Sequence, residues 1–424
     1  MSKISPYHIQ HVQINKQGYL DLFPVKGQRY YYVFWWLNIA LGHLYVEKEG
    51  VEEIQSAFLD AIIPALKKYD TGEKHINDIR TSYLSSNYSL FEMSIEKILN
   101  RFLIKNNPEK VDISLVICTR NRSESLRNCL VKINMQACMP SEIIVIDNAP
   151  TDDSTKSVVK QFKNVTYHIE KRPGLSFARN LGCRLAKWPI IAFTDDDVEV
   201  DKLWTYRIWE TFLQENIDGM TGLVLATSLE TESQQIFEKH WGFNKGYEDI
   251  YYNLGFVKYS GDIPRLWELG AGANMAFRKE VIQKVNYFDE RLGSGAAGCS
   301  EDSELWFRMI YKGCNIHYNP RVVVFHEHRK EISQLKKQLY NYMQGHVASI
   351  LIQNKNNKQI GYKKYLYKLF KYYILLLGSG FPSFSFRHKT LFNEIQGIFA
   401  GVVFYQKNKD KPALSKNYHN GKAN

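Results

Sequence analysis

Cysteine is sparse and unpatterned in this chain. Cys118, Cys129, Cys138, Cys183, Cys299 and Cys314 form neither a CxxC pair nor a framework spacing. That argues against structural zinc and a disulfide scaffold, and for free thiols in a reducing cytosol. Cys118 falls inside an apolar strand pattern and reads as a small core residue. Long apolar runs are missing too. The nearest candidates, residues 374–377 and 398–403, are far shorter than the roughly 18–20 residues that span a bilayer. The start, Met1-Ser2-Lys3-Ile4-Ser5-Pro6, has no apolar signal-peptide core. The expectation is a soluble or peripheral protein of the cytoplasm. Two nucleotide signatures are also absent. Thr119-Arg120-Asn121-Arg122 stands where a GxGxxG fingerprint would follow the first strand of an α/β region, and no P-loop occurs. A nicotinamide enzyme is therefore disfavoured.

Acidic residues are scarce in one region only. From Arg329 to Asn424 there are 17 Lys/Arg against 3 Asp/Glu, a balance of +14, whereas the whole chain carries +11 and residues 1–328 therefore −3. The basic excess belongs to the tail, where it suits an anionic surface. Composition is otherwise globular, with 44% hydrophobic and 23% charged residues, which excludes global disorder. A length of 424 residues predicts two domains with appendages.

Residues 1–108 read as a small α+β accessory unit. The aromatic run Tyr30-Tyr31-Tyr32-Val33-Phe34-Trp35-Trp36 predicts a strand with Leu44-Tyr45-Val46 as partner, and residues 51–69 and 89–104 show helical spacing. Nothing there has catalytic spacing. Lys105-Asn106-Asn107-Pro108-Glu109-Lys110 reads as a linker. Residues 109–330 then alternate: strands at 113–118, 142–147, 165–169 and 190–194, and helices at 123–135, capped near Ser123, 153–162 and 176–186. That rhythm predicts a doubly wound, mostly parallel sheet. Residues 331–424 read as a basic, mainly helical region.

Polar groups gather at the carboxyl ends of these strands, where open α/β sheets bind ligands. The strand at 190–194 runs into Asp195-Asp196-Asp197, three mutually repelling anions of the kind that suits a hard cation such as Mn²⁺ or Mg²⁺; an isolated triplet could equally be a solvated turn. Thr119, Arg120 and Arg122 could meet phosphates, and Asp147 a base or ribose. The loop before Ser176 leads into a helix bearing Arg179 and Asn180. Gly270-Ala271-Gly272-Ala273-Asn274 allows close backbone approach to a ligand, or is a tight turn. Glu301-Asp302 opens a helical pattern, where the macrodipole stabilises anions. Ordinary capping explains one of the pair; the small-residue stretch before it suggests an acceptor-side lid. A final strand ends in His326-Glu327-His328, where a neutral imidazole could complete a metal shell.

Between Asp112 and His328 the chain resembles the family 2 glycosyltransferases of the GT-A nucleotide-diphospho-sugar transferase fold. The resemblance rests on Thr119-Arg120-Asn121-Arg122, Glu142 to Asn148, Pro173-Gly174-Leu175-Ser176-Phe177-Ala178-Arg179-Asn180, Thr194 to Asp197, Gly270 to Arg278, Phe288 to Gly293 and Glu301-Asp302. It implies a DxD motif at Asp195–Asp197 holding Mn²⁺ or Mg²⁺ and the ribose-diphosphate of a nucleotide-sugar donor. Thr119, Arg120, Arg122, Asp147, Arg179, Asp195 and Asp196 would bind that donor. Asp195, Asp197 and His326 would hold the metal, and Asp302 would be the catalytic base. Gly272, Asn274 and Glu301 fall on the acceptor and lid side. The implied activity is inverting sugar transfer to a glycan or lipid-linked acceptor in cell-surface polysaccharide or glycoconjugate biosynthesis. A sugar-1-phosphate nucleotidyltransferase, which usually opens with a glycine-rich phosphate loop, and a non-catalytic sugar-nucleotide-binding scaffold are the rivals. The tail, with its lysine- and tyrosine-rich stretch Tyr362 to Tyr373, falls outside the resemblance. It is expected on an anionic membrane, at the inner face of the plasma membrane, rather than on nucleic acid; a helical tail packed on the catalytic domain is the plainer alternative.

Overall fold

The structure is a computed structural model describing residues 4–16, 27–47, 51–70, 74–104, 107–214, 216–259, 263 and 265–414. Residues 105 and 106 of the expected linker and residues 1–3 of the start lie outside it.

The first unit is three strands, β1 (Tyr7–Gln13), β2 (Arg29–Trp36) and β3 (Ile39–Val46), with three helices, α1 (Val51–Tyr69), α2 (Lys74–Leu84) and α3 (Tyr88–Leu99). β2 is central, parallel to β1 and antiparallel to β3, with Tyr32 opposite Leu44. Its aromatics form a strand because bulky, planar side chains pack well on a pleated surface covered on both faces. Phe34 is fully buried and meets Phe58 of α1 edge-on at 4.9 Å. The helical pattern expected to reach residue 104 ends at Leu99 and continues as a short 3₁₀ turn, Asn100–Phe102.

The large sheet follows. In chain order it comprises β4 (Lys110–Thr119), α4 (Ser123–Asn134), β5 (Met139–Asn148), α5 (Ser154–Val159), β6 (Val165–Glu170), α6 (Leu175–Leu185), β7 (Ile190–Asp195), β8 (Val198–Val200), α7 (Trp204–Phe212), β9 (Gly219–Ala226), α8 (Glu232–Trp241), β10 (Ile250–Tyr252), α9 (Leu254–Tyr259), β11 (Asn274–Arg278), α10 (Lys279–Lys284), α11 (Glu301–Tyr311) and β12 (Ile316–His326). Among the described residues the strand order is β10-β12-β9-β11-β7-β4-β5-β6, with β8 on β12. β7, β4, β5 and β6 are mutually parallel, β12 is parallel to β9, and β11 runs against both neighbours. This is the expected mostly parallel α/β sheet. Two details differ from the sequence reading. α5 is shorter than residues 153–162, and α4 is entered at Arg122, without a side-chain cap, rather than capped by Ser123.

The basic region is helical: α12 (Ile332–Asn356), α13 (Tyr362–Gly380) and α14 (Leu391–Asn408). α12 lies on the sheet domain, with Leu335, Leu339 and Val347 buried, and α14 packs on α12. Gly397 and Gly401 make that approach close: a Cβ on either would fall 2.4 or 2.6 Å from a backbone oxygen of α12.

The first unit does not stand apart from the large sheet. Leu223 and Leu225 of β9 and Val323 of β12 belong to the same buried cluster as Phe34 and Phe58. We predict that a chain starting at residue 109, with this apolar face uncovered, is recovered as aggregate. Size-exclusion chromatography beside the full chain checks this, and a monodisperse truncated protein would contradict it.

Candidate active site

Parallel register builds the site. Thr119 pairs with Asp147, and Cys118 with Asp195, so the ends of β4, β5 and β7 reach one level. Loops follow at once. Asn121 has a left-handed φ of 53°, and its Oδ1 accepts from the Thr151 amide at 3.1 Å, tying the first loop to the second. Asn148 does the same for the next loop, donating to Arg172 O at 2.7 Å and accepting from Gly174 N at 2.8 Å.

Within the acidic triplet neighbouring side chains diverge. Asp196 turns inward, its side chain 4% exposed, and accepts from Thr119 Oγ1 at 2.6 Å and Arg122 Nη1 at 2.7 Å. Expected on the donor, Asp196 stands in the turn between β7 and β8 and anchors the first loop through Thr119 and Arg122. Asp195 and Asp197 retain 35% and 16% exposure beside the cleft. Asp197 Oδ2 accepts from Arg122 at 3.0 Å and faces Arg329 at 3.5 Å, while its Oδ1 lies 4.0 Å from His326 Nε2. Burial pushes Asp195 up to about 6, with Asp197 and Asp196 adding to the shift and Arg179 opposing it. Burial opposes the charge of Asp197, yet His326, Arg122 and Arg329 hold it below the ordinary range. Burial also lowers His326 to about 4, so its imidazole is neutral at pH 7.

Arg179 is 3% exposed. It donates to Glu301 Oε1 at 2.5 Å, Gly272 O at 3.3 Å and Asp195 Oδ1 at 3.4 Å. It thereby joins the two acidic motifs at the cleft that it helps to line. Burial lifts Glu301 to about 7, with Asp302 adding to the shift and Arg179 working against it. Asp302, on the first turn of α11, accepts through Oδ1 from Ser303 N at 2.6 Å and Ser303 Oγ at 3.1 Å. A Cβ on Gly272 would lie 2.9 Å from Arg179 Nη2 and 3.1 Å from Asp302 Oδ2, so the glycine lets both side chains approach the backbone.

Two expected acceptor-side elements are placed differently. Asn274 is fully buried, accepting from Trp204 Nε1 at 2.9 Å and donating to Leu223 O and Val322 O at 3.0 and 2.9 Å; the sheet consumes its polar groups. The small-residue stretch 293–300 is not a free lid. A Cβ on Gly298 would lie 2.5 Å from Asn341 O of α12, and one on Gly345 2.6 Å from the Cys299 backbone. Asp147 is buried beneath β5's end, bonded by Tyr167 Oη at 2.8 Å, and its Oδ1 has no hydrogen-bond partner among the described residues. Arg120 is exposed on the rim.

The acidic triplet, Glu301-Asp302, Arg120, Arg122, Arg179 and His326 line one cleft of about 1020 Å³, whereas Asp147 and Asn274 are not in its lining. Its other wall comes from outside the motifs: Trp267, and from the tail Lys337, His346, Tyr365, Tyr372 and Arg387. Trp267 meets the His346 ring edge-on at 4.6 Å, and His346 Nε2 bonds Tyr365 Oη at 3.0 Å. No local pattern in the sequence marks them; tertiary packing brings them in.

A family model described as "Glycosyl transferase family 2" matches residues 114–285. The match covers less than half of the chain. It ends before Glu301-Asp302 and His326, which the fold returns to the same cleft. The chain is 26% identical over 235 residues to a chondroitin synthase of Pasteurella multocida (strain Pm70), covering 50% of this chain and 24% of that protein. It is 25% identical over 261 residues to a hyaluronan synthase of Pasteurella multocida, covering 55% and 26%. It is 22% identical over 265 residues to a poly-β-1,6-N-acetyl-D-glucosamine synthase of Staphylococcus aureus, covering 62% and 61%. The chain thus spans about a quarter of the length of the two Pasteurella relatives. Among solved structures, a mannosyltransferase from Pyrobaculum calidifontis in complex with GDP-Man and Mn²⁺ matches with a TM-score of 0.48 at 15% identity, over 83% of this chain and 100% of that one.

Arg179 gives this site its first test. Arg179→Met leaves Glu301 buried beside Asp302 without its cation. The expected cost is about 3–5 kcal/mol of stability, the usual effect of breaking a buried pair. Urea denaturation at pH 8 measures it, and a loss under about 1 kcal/mol would contradict the bridging role.

Proposed function

We propose that this protein is an inverting glycosyltransferase that moves a sugar from a nucleotide-diphospho-sugar to an acceptor hydroxyl in cell-surface polysaccharide or glycoconjugate biosynthesis. The observation that carries the reading is the meeting of Asp195–Asp197 and Glu301-Asp302 in one cleft, linked through buried Arg179. Asp302 takes the proton of the acceptor hydroxyl as that oxygen bonds to the anomeric carbon. The bond from that carbon to the diphosphate breaks on the opposite face, its electron pair leaving with the diphosphate, and configuration inverts. Arg120 and Arg122, both lining the cleft, offer cations to the diphosphate.

A divalent cation, Mn²⁺ or Mg²⁺, belongs to the same reading. Among the described residues no three His, Cys, Asp or Glu side chains stand grouped as a ready metal site. The donor chemistry nevertheless fits: an ionised carboxylate on Asp197 lies 4.0 Å from a neutral imidazole on His326, with Asp195 beside them. Such an ion would neutralise charge on the departing diphosphate.

Two substitutions separate these roles. Asp302→Asn should leave donor affinity in place while transfer falls about 10²–10⁴-fold. Asp197→Asn should remove Mn²⁺-supported nucleotide binding and leave the fold intact. Calorimetry with a nucleotide panel, beside a transfer assay, reads both. Loss of donor affinity in the first, or full turnover in excess chelator, would contradict the assignments.

The acceptor and the tail are read together: a glycan or lipid-linked acceptor presented at an anionic membrane. Among the described residues no helix is long and apolar enough to cross a membrane. α13 and α14 expose Tyr367, Leu375, Phe392 and Phe399 by more than half each, Phe381 just after α13 is exposed likewise, and Lys363, Lys364, Lys368 and Lys371 lie along α13. Aromatic and aliphatic groups flanked by lysines suit the surface of an anionic leaflet, at about 1 kcal/mol per lysine. Because Tyr362 and Tyr373 are buried in the fold, substitution tests this better than deletion. The full chain should float with anionic but not neutral vesicles, and lose that in high salt or in a Lys363→Glu, Lys364→Glu, Leu375→Glu variant. Equal recovery in the soluble fraction with both lipids would contradict it.

A further inference from the structure

Two helices beyond the residues matched by the family model line the cleft, and the faces they turn to it differ in kind. α12 presents Gln334, Lys337 and Asn341, spaced i, i+3 and i+7 and so on one side of the helix. None of these three side chains has a hydrogen bond or ion pair among the described residues. α13 presents Tyr365, Leu369 and Tyr372, spaced i, i+4 and i+7. Seven residues of helix rise about 10 Å, so each face is longer than one sugar ring.

Both faces are tied to the Asp302 side of the cleft. Trp267 precedes the Gly270–Gly272 loop, where a Cβ on Gly272 would lie 3.1 Å from Asp302 Oδ2. Its ring centre is 4.6 Å from that of His346 on α12 and 5.1 Å from that of Tyr365 on α13. The main chain of Asn341 is the surface on which Gly298 packs, shortly before Asp302.

The chemistry of the two faces selects a ligand. A sugar ring offers C–H groups that pack on aromatic faces, and hydroxyls that both donate and accept. Trp267, Tyr365 and Tyr372 supply rings; Gln334 and Asn341 supply amides, and Lys337 a donor. An alkyl chain laid along the same walls would strip water from these polar groups and return no hydrogen bonds. At about 1020 Å³ the cleft stands at the top of the range of about 300–1,000 Å³ for single-ligand sites, which suits a donor and a second chain together. We infer that α12, α13 and Trp267 form an acceptor subsite for the sugars beyond the one that reacts at Asp302, so that the acceptor is an oligosaccharide. Which sugar reacts rests on the glycosyltransferase reading above, but binding of the chain requires neither donor nor metal.

An array of neutral and acidic oligosaccharides, from monosaccharide to octasaccharide, tests this with the full chain free of nucleotide and metal. Octyl glycosides of the same single sugars form the lipid-like arm. At least one series should bind, with affinity rising about tenfold or more from monosaccharide to trisaccharide and no such rise from an octyl group. Tyr372 is half exposed and Lys337 exposed, so both can be truncated without opening the core. Tyr372→Ala should weaken the longer members about tenfold, and Lys337→Ala about 2–10-fold. No binding on the array, affinity independent of length, or folded variants that both bind like the unsubstituted chain overturns the inference. Tighter binding of the octyl glycosides also overturns it and marks a lipid groove. Calorimetry with the nucleotide panel and Mn²⁺ separates the two readings. Length-dependent glycan binding without nucleotide binding keeps the subsite and removes the glycosyltransferase reading; nucleotide binding without glycan binding does the reverse.

Discussion

Arg179 sits where water does not reach, and its charge is balanced by carboxylates from two distant stretches of chain, Asp195 and Glu301. An unpaired guanidinium in that position would cost several kcal/mol, so the packing of α6 under the sheet edge and the entry of α11 are tied to one another. Gly272 contributes its carbonyl to the same group and has no side chain to obstruct it. The acidic triplet, the glycine-bearing loop and the first turn of α11 thus converge on one cation. Their separation along the chain, about a hundred residues from Asp195 to Glu301, gives no hint of this.

Much of the fold is legible in the sequence because its cause is local. Apolar runs of strand length alternating with helical spacing dictate a buried parallel sheet, and β4 to β7 follow that rhythm closely. The acidic triplet at a strand end is legible for the same reason. What the sequence conceals is direction. Asp196 looks equivalent to its neighbours, yet it turns inward to Thr119 and Arg122. Asn274 looks like a loop residue beside glycine, yet the bend at 271–274 returns it to the sheet, where Trp204 and two carbonyls take up its amide. His346, Tyr365 and Arg387 carry no pattern at all, because their place in the cleft is set by how the tail packs rather than by what surrounds them in sequence.

The two flanking regions also change meaning once packed. The first unit closes the outer face of β9 and β12 with a dense aromatic cluster, making it part of the support beneath His326 rather than an independent module. The tail contributes a wall of the cleft through α12 and α13 while turning other faces of α13 and α14 outward. The domain matched by the family model therefore supplies the strand-end carboxylates, and residues beyond it enclose them.

The contact between the stretch 293–300 and α12 has a mechanical consequence. Gly298 meets the backbone of Asn341, and Gly345 meets the backbone of Cys299, so each segment fills the gap in the other at main-chain distance. Main chain cannot yield as a side chain does by changing rotamer. A displacement of these eight residues therefore carries α12 with it, and through α12 the packed α14. The width of the cleft on this side is therefore set by the packing of a helix against main chain rather than by the side chains of a loop.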